Sequence, residues 1–401
     1  VTARGDLPRP EAVELVLVEL ALVTSLAHAG GVHARRPVVL ARVLASEAEG
    51  VGECSALEAP TYTSEYAEGA FAVLRAHLAP LLLRACAAPA GRPGEGALAR
   101  SAGEGDDVAG ILEAVGTVTR ALEVVRGHRM AKAALEEALL DLWLGCAGRS
   151  LATALGAVRR RVVAGATVGL AHSPQQAAEA ARAAVASGYR RLKLKVAPGR
   201  DVAFAAALRA ACPGVDLVVD ANGSYDLALG EHRRALSELD ELGLAYLEQP
   251  LAPGALLETA RLARALATPV VLDEAIGGED DARVALALQA ADGVVVKPGP
   301  LGGVLPARRV AERWRQEGRS VAVGGLLESG VGRAAALALA ALPAVDLGTD
   351  LGASDRYFAE DLTDPFLLDA DGRLSVPGGP GLGVSLRADA LSGARRALVR
   401  G

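Results

Sequence analysis

Five apolar, strand-like runs in succession end in an ionisable residue: Lys195, Asp220, Glu248, Asp273 and Lys297. Charge at the end of an apolar strand is costly unless it is paired or bound to metal. Asp220, Glu248 and Asp273 are hard oxygen donors that suit Mg²⁺ while leaving room for water and substrate. One such acid alone reads better as a helix cap or loop residue. Three in consecutive strands, with lysines in the strands on either side, point to metal. Lys193 and Lys195 lie two residues apart, so strand alternation sends both to one face. Near a divalent cation and a second cation a lysine pKa falls, and the amine can act as a base near neutral pH. The chemistry this set could do is removal of the weakly acidic proton alpha to a carboxylate, with the resulting enediolate stabilised by the cation.

The elements that must position these groups are legible as a repeating pattern. Short β-rich runs at Val162–Val168, Arg191–Lys195, Leu217–Asp220, Ala245–Glu248, Val270–Asp273, Gly293–Lys297, Val321–Val323 and Val345–Leu347 alternate with helical stretches. Eight such strands suggest a β/α barrel, whose site lies at the C-terminal strand ends, where all five charged groups would converge. Lys297 would then face the Lys193–Lys195 strand from across the barrel. An open doubly wound sheet is the alternative, but no GxGxxG follows an early strand. Ahead of the barrel, residues 12–53 read as strands and 64–145 as Ala/Leu-periodic helices, a compact α+β unit. Between those helices, Ala87–Asp107 is rich in Gly, Pro and Ala and reads as a mobile insertion. The expected division is 1–150, 151–350, and a C-terminal segment, 351–401, returning to the first unit.

Composition excludes several classes. With 401 residues and 51% hydrophobic, a barrel plus a smaller unit can bury a sizeable core. A net charge of −6 and a pI near 5.7 argue against nucleic acid, and Arg159–Arg161 reads as a solvated loop. Cys54, Cys86, Cys146 and Cys212 form no CxxC pair, which fits a reducing cytoplasm rather than disulfides or zinc. No uninterrupted apolar run is long enough to span a membrane. Ala12–Val23, broken by Glu14 and Glu19, reads as a strand and not a signal peptide.

Taken together, Lys-Leu-Lys at 193–195, Asp-Ala-Asn at 220–222, Glu-Gln-Pro at 248–250, Leu-Asp-Glu at 272–274 and Lys-Pro-Gly at 297–299 resemble the muconate-lactonizing subgroup of the enolase superfamily. Gly127–Glu136, Gly52-Glu53-Cys54, Glu58-Ala59-Pro60, Tyr62, Ser64-Glu65-Tyr66, Gly324–Gly330 and Arg356-Tyr357-Phe358 narrow the likeness to the o-succinylbenzoate synthase/N-acylamino acid racemase family. The resemblance implies a modified (β/α)-barrel with an N-terminal α+β capping domain. It implies Mg²⁺ or Mn²⁺ on Asp220, Glu248 and Asp273, with Asn222 and Glu274 in support. Lys195 and Lys297 would be the acid/base pair, assisted by Lys193. Thr167, Gly325, Leu326, Glu328 and Ser329 would line the substrate pocket. Leu26, Leu57 and Tyr62, from the segments Val23–Gly31 and Leu57–Tyr62, would form a cap that excludes water. The first of these reads as a loop, open or disordered without ligand. It lacks the aromatic residues usual in the family, and Leu57 and Leu326 stand where methionine is common, so the substrate is less determined than the chemistry.

Dehydration to o-succinylbenzoate, a menaquinone-pathway step, is the first reading and N-acylamino acid racemisation the alternative, since both lysines serve either scheme. No histidine ends the sixth or seventh strand, and Leu347–Asp350 lacks an Asp-x-Asp pair, so mandelate-racemase-like and dipeptide-epimerase chemistries fit less well. A catalytically silent barrel acting as a binding protein is the reading from another class. Expected partners are a small-molecule carboxylate, no nucleic acid and no membrane. Barrels of this family commonly form homo-oligomers, though no sequence feature marks an interface.

Overall fold

The computed structural model describes residues 7–28, 31–87 and 108–401, and only the backbone of 24–28 and 31–34. The Leu26 side chain and the insertion at 88–107 therefore lie outside the described residues. Long runs of alternating Val and Leu form β1 (Ala12–His28) and β2 (Gly31–Leu44), which pair antiparallel, and β3 (Glu49–Cys54) adds to β2. The segment expected as a loop is thus largely hairpin. Leu26 pairs with His33 and His28 with Gly31, beyond a register shift after Ala21. At its base Leu22 bridges Phe358, and Val23 N donates to Tyr357 O at 2.8 Å.

Helices α1 (Ala67–Val73), α2 (Ala79–Ala87), α3 (Val108–Ala121) and α4 (Arg129–Cys146) cover this sheet. The continuous helical stretch 67–87 is long and apolar enough to cross a bilayer by length and composition alone. It carries Arg75, His77 and Arg84, and it buries Leu74, Leu78, Leu82 and Leu83 in the core. α4 is buried along almost its whole length because the sheet packs on one side and the barrel on the other. Gly50 and Gly52 of β3 allow that contact. A Cβ at Gly52 would sit 2.1 Å from Ala134 O, and one at Gly50 would sit 2.2 Å from Ala138 O.

After α5 (Leu151–Leu155), β4 (Arg161–Val163) leads into the barrel. Its strands are β5 (Gly165–Val168), β6 (Arg191–Lys195), β7 (Asp216–Asp220), β8 (Tyr246–Glu248), β9 (Val270–Leu272), β10 (Gly293–Val296) and β11 (Ser320–Val323), parallel neighbours in sequence order. Between and after them run α6 (Pro174–Ala186), α7 (Val202–Ala211), α8 (Gly230–Asp240), α9 (Leu256–Ala265), α10 (Glu279–Ala287), α11 (Pro298–Leu301), α12 (Val304–Gln316) and α13 (Gly330–Ala340). Two expectations need correction. Val162 belongs to β4, which pairs with β12 (Arg373–Ser375) and not with the barrel. The eighth run is not a strand, because the Asp346 carboxylate takes the Val321 N–H and Gly348 turns at φ +78. Irregular backbone closes the ring instead: Val323 N bonds Gly348 O at 3.1 Å, and Gly165 N bonds Leu351 O at 3.1 Å. The architecture is a modified (β/α)-barrel with an N-terminal α+β capping domain. Beyond the barrel, β13 (Arg395–Arg400) pairs with β1.

Buried carboxylates join the layers by capping helix N-termini, where unpaired N–H groups and the helix dipole favour an anion. Glu136 of α4 accepts from Val304 N and, at 3.2 Å, from Leu305 N at the start of α12. Burial nevertheless pushes its carboxyl up to about 8, the two backbone donors pulling only partly against it. A carboxyl raised in the folded state is protonated there over a pH range where the unfolded chain has lost the proton. Stability is therefore full below the unfolded value, near 4.5, and falls as pH rises towards 8, by a few kcal/mol at most. Glu136→Gln should flatten this slope in urea unfolding from pH 5 to 9; an unchanged slope would assign the titration elsewhere.

Candidate active site

Each charged group of the mouth follows from its strand. Valine and leucine make up most of β7, β9 and β10 and alternate with Lys193 and Lys195 in β6, and an ionisable residue stands at the C-terminal end of each strand or directly after it. Lys193 Nζ lies 2.6 Å from Glu248 Oε1, 2.6 Å from Asp350 Oδ2 and 2.9 Å from Asp220 Oδ2. Lys195 Nζ lies 2.6 Å from Asp220 Oδ2. Four strands away, Lys297 Nζ is 2.6 Å from Asp273 Oδ2 and donates to Tyr62 OH at 2.8 Å, while Tyr62 donates to Asp273 Oδ1 at 2.9 Å. Asn222, at φ +44, turns its amide to Glu274 Oε1 at 2.7 Å. Gln249, also in the left-handed region, accepts from Asp273 N at 2.9 Å and fixes the turn after β9.

The electrostatics follow from burial opposed by these partners. Burial alone would lower Lys193, but Asp220, Asp350 and Glu248 override it and hold its ammonium well above the ordinary lysine range. Lys297 is raised in the same way, burial being overcome chiefly by Asp273. Each of these two ammonium groups has its own carboxylate at contact distance. Burial would raise Asp220, but Lys193 and Lys195 hold it below the usual carboxylate range. Glu248 is pushed well up by burial and by Asp220, and Glu274 is pushed up to about 7 by burial, Asp273 and Asp220. Burial, then Asp273, also raises the Tyr62 phenol.

With the lysines drawn onto the carboxylates, no three His, Cys, Asp or Glu side chains among the described residues converge tightly enough to hold a metal as they stand. The donor set nevertheless fits a hard cation. Glu248 Oε2, Glu274 Oε2 and Asn222 Oδ1 are all buried without a hydrogen-bond partner, and an oxygen in that position costs free energy unless something positive meets it.

Above the carboxylates lies a cavity of about 90 Å³. Leu57, Tyr62, Thr167, Lys193, Lys195, Asn222, Lys297, Gly325, Leu326 and Glu328, all singled out in the sequence, line it. Ser329 does not. Its hydroxyl caps α13 and bonds Glu53 Oε2 at 2.6 Å, which turns it towards the capping domain. Asp220, Glu248, Asp273 and Glu274 sit below this lining.

Sequence reasoning missed five wall residues: Arg333, Asp350, Leu351, Gly352 and Tyr357. Asp350 bonds Gly325 N at 2.8 Å as well as Lys193, tying the pocket loop to the lysine strand. Arg333 donates to Glu328 O at 3.0 Å and stacks 5.3 Å from the Tyr357 ring centroid.

A family model for the enolase C-terminal domain-like fold matches residues 176–390. The chain is 40% identical over 374 residues to an N-succinylamino acid racemase from Amycolatopsis sp, covering 93% of this chain and 94% of the relative. It is 36% identical to an o-succinylbenzoate synthase from Enterococcus faecalis, covering 84% of each chain. A crystal structure of an enolase superfamily member from Listeria innocua superposes with a TM-score of 0.84 at 29% identity, covering 98% of this chain and 99% of that one. The chain is an enzyme and belongs to the enolase superfamily, within its o-succinylbenzoate synthase/N-acylamino acid racemase family.

Proposed function

We propose that the chain removes the proton alpha to the carboxylate of a small molecule bearing a succinyl or similar acyl arm. The observation that carries this reading is the pair of lysine sites, Lys195 with Lys193 on β6 and Lys297 after β10, facing one cavity above buried carboxylates. Asp220, Glu248 and Asp273 would hold Mg²⁺ or Mn²⁺, with Asn222 and Glu274 beside them. When bound, such a cation polarises the substrate carboxylate and stabilises charge developing on it. Lys195 takes the α-proton on one side. Lys297 stands on the other, oriented by Tyr62, and either donates to that face or supports the developing charge. Tyr62 and Leu57 close the cavity from the capping domain and keep water from the carbanion.

Dehydration to o-succinylbenzoate is one outcome, in which Lys195 removes the proton and returns it to the departing hydroxyl. Racemisation of N-succinylamino acids is the second, and a relative of that name at 40% identity favours it. In either case the work is that of a cytoplasmic metabolic enzyme with no nucleic-acid or membrane partner. We also propose that residues 1–150 act as the cap and 151–350 as the catalytic unit.

Chelation with EDTA should abolish α-proton exchange, and Mg²⁺ or Mn²⁺ should restore it. Asp273→Asn should weaken Mg²⁺ binding by roughly tenfold or more while leaving the circular dichroism spectrum unchanged. Full exchange after exhaustive chelation would refute the metal assignment.

A further inference from the structure

Arg36, on β2 of the capping domain, is 1% exposed and does not line the cavity. Its guanidinium nevertheless joins three segments: Nε donates to Leu327 O at 2.9 Å, and one terminal nitrogen donates to Pro37 O and Ala56 O, each at 2.6 Å. Leu327 and Leu57, the residue after Ala56, stand in the cavity wall, one from the barrel and one from the cap. Leu327 is held at φ +55, a conformation that a leucine keeps only where its surroundings impose it. The other terminal nitrogen lies 3.7 Å from Glu53 Oε1, and Glu53 caps α13 through Ser329 N and Gly332 N. One buried side chain thus fixes the spacing of two pocket walls that belong to different parts of the fold.

We propose that Arg36 is a positioning residue for specificity: it sets the gap between the Leu57 and Leu326–Leu327 walls, and with it the length of acyl arm the pocket admits. This rests on the reading above that the cavity receives an acylated carboxylate. A planar guanidinium presents a rigid fork of donors that can serve several carbonyls at once, whereas an ammonium is a compact point charge on a flexible stem. Arg36→Lys keeps the charge beside Glu53 but cannot hold all three carbonyls in register. Its effect should fall on binding of the long arm and not on the proton transfer, which the β6 and β10 lysines carry out.

The test compares Mg²⁺-loaded wild type and Arg36→Lys on N-succinyl and N-acetyl forms of one amino acid, following deuterium exchange at the α-carbon by NMR. The variant should raise KM for the N-succinyl substrate by about tenfold with kcat changed less than about threefold, and should move KM for the N-acetyl substrate far less. A structural role alone would lower thermal stability and depress both substrates equally, leaving their kcat/KM ratio unmoved; that result would overturn the proposal. Should the variant fail to fold, hydrogen exchange of the wild type decides. N-succinyl substrate should protect amides at 55–58 and 324–329 together, and protection of only one wall would overturn the coupling. Absence of α-proton exchange by wild type on both substrates would instead remove racemisation from the functional reading, and this proposal with it.

Discussion

Lys195→Ala is expected to eliminate turnover in both candidate reactions, a loss of about a thousandfold or more, because the β6 amine is a required base in each. Lys297→Ala separates the two. In a two-base racemase it abolishes turnover in both directions, yet deuterium still washes into the enantiomer whose proton faces Lys195. In a one-base dehydratase it removes electrostatic support only, a loss worth a few kcal/mol in such sites, and turnover survives at a reduced rate. The side chain also neutralises Asp273 and orders Tyr62, so each variant needs a circular dichroism spectrum matching wild type before its kinetics are read. Exchange in D₂O, followed by NMR for both variants and both substrate classes, makes the distinction. Unaltered exchange by the Lys195 variant would refute these assignments whichever substrate proves correct.

Gly52→Ala should be among the most damaging single substitutions in the chain. The added carbon would meet Ala134 O at 2.1 Å and Ala138 N at 2.7 Å, both backbone atoms of a helix that is packed on two sides. Neither β3 nor α4 can retreat without disturbing the contact between the capping sheet and the barrel. We expect a loss of about 3 kcal/mol or more in urea unfolding, at the upper end of what overpacking costs. Gly214→Ala is the control. Nothing stands within 4 Å of its Cβ and no positive φ is involved, so its effect should stay within about 0.5 kcal/mol. Equal stability of the two variants would mean that β3 and α4 are not so closely apposed.

These cases also show which parts of the molecule could be read from the chain. The barrel and its charged mouth were legible because a parallel strand buried on both faces is a nearly continuous apolar run, and an ion closing it is conspicuous. Lys195, Asp220, Glu248, Asp273 and Lys297 all stand where that pattern puts them. Tyr62 and Leu57 were found only through a likeness to relatives, since nothing local distinguishes them from other loop residues. Arg333 and Tyr357 reach the cavity through tertiary packing, one from α13 and one from the chain beyond the ring, so no period in the sequence reveals them. The eighth strand was misread for a physical reason: Val345–Leu347 has strand composition, but Asp346 takes over a backbone N–H that a ladder would have used, and Gly348 then turns the chain. The hairpin was misread in the opposite sense. Small and polar residues around 24–31 suggested a loop, yet beyond the register shift the pairing resumes, with Leu26, Ala27 and His28 opposite His33, Val32 and Gly31.

The pairing of β1 with β13 has a consequence for how the protein is made. β1 is synthesised near the beginning of the described chain and β13 near its end, with the entire barrel between them, yet Ala12 lies opposite Arg400 and Leu17 opposite Arg395. While the ribosome is still working through the barrel, one long edge of the hairpin has no partner. An unpaired edge rich in Val and Leu is a template for other nascent chains. The interval before β13 emerges is thus the hazardous stage in the life of this molecule. Messages cut short upstream of residue 395 would release chains able to build much of the barrel but unable to seal that edge.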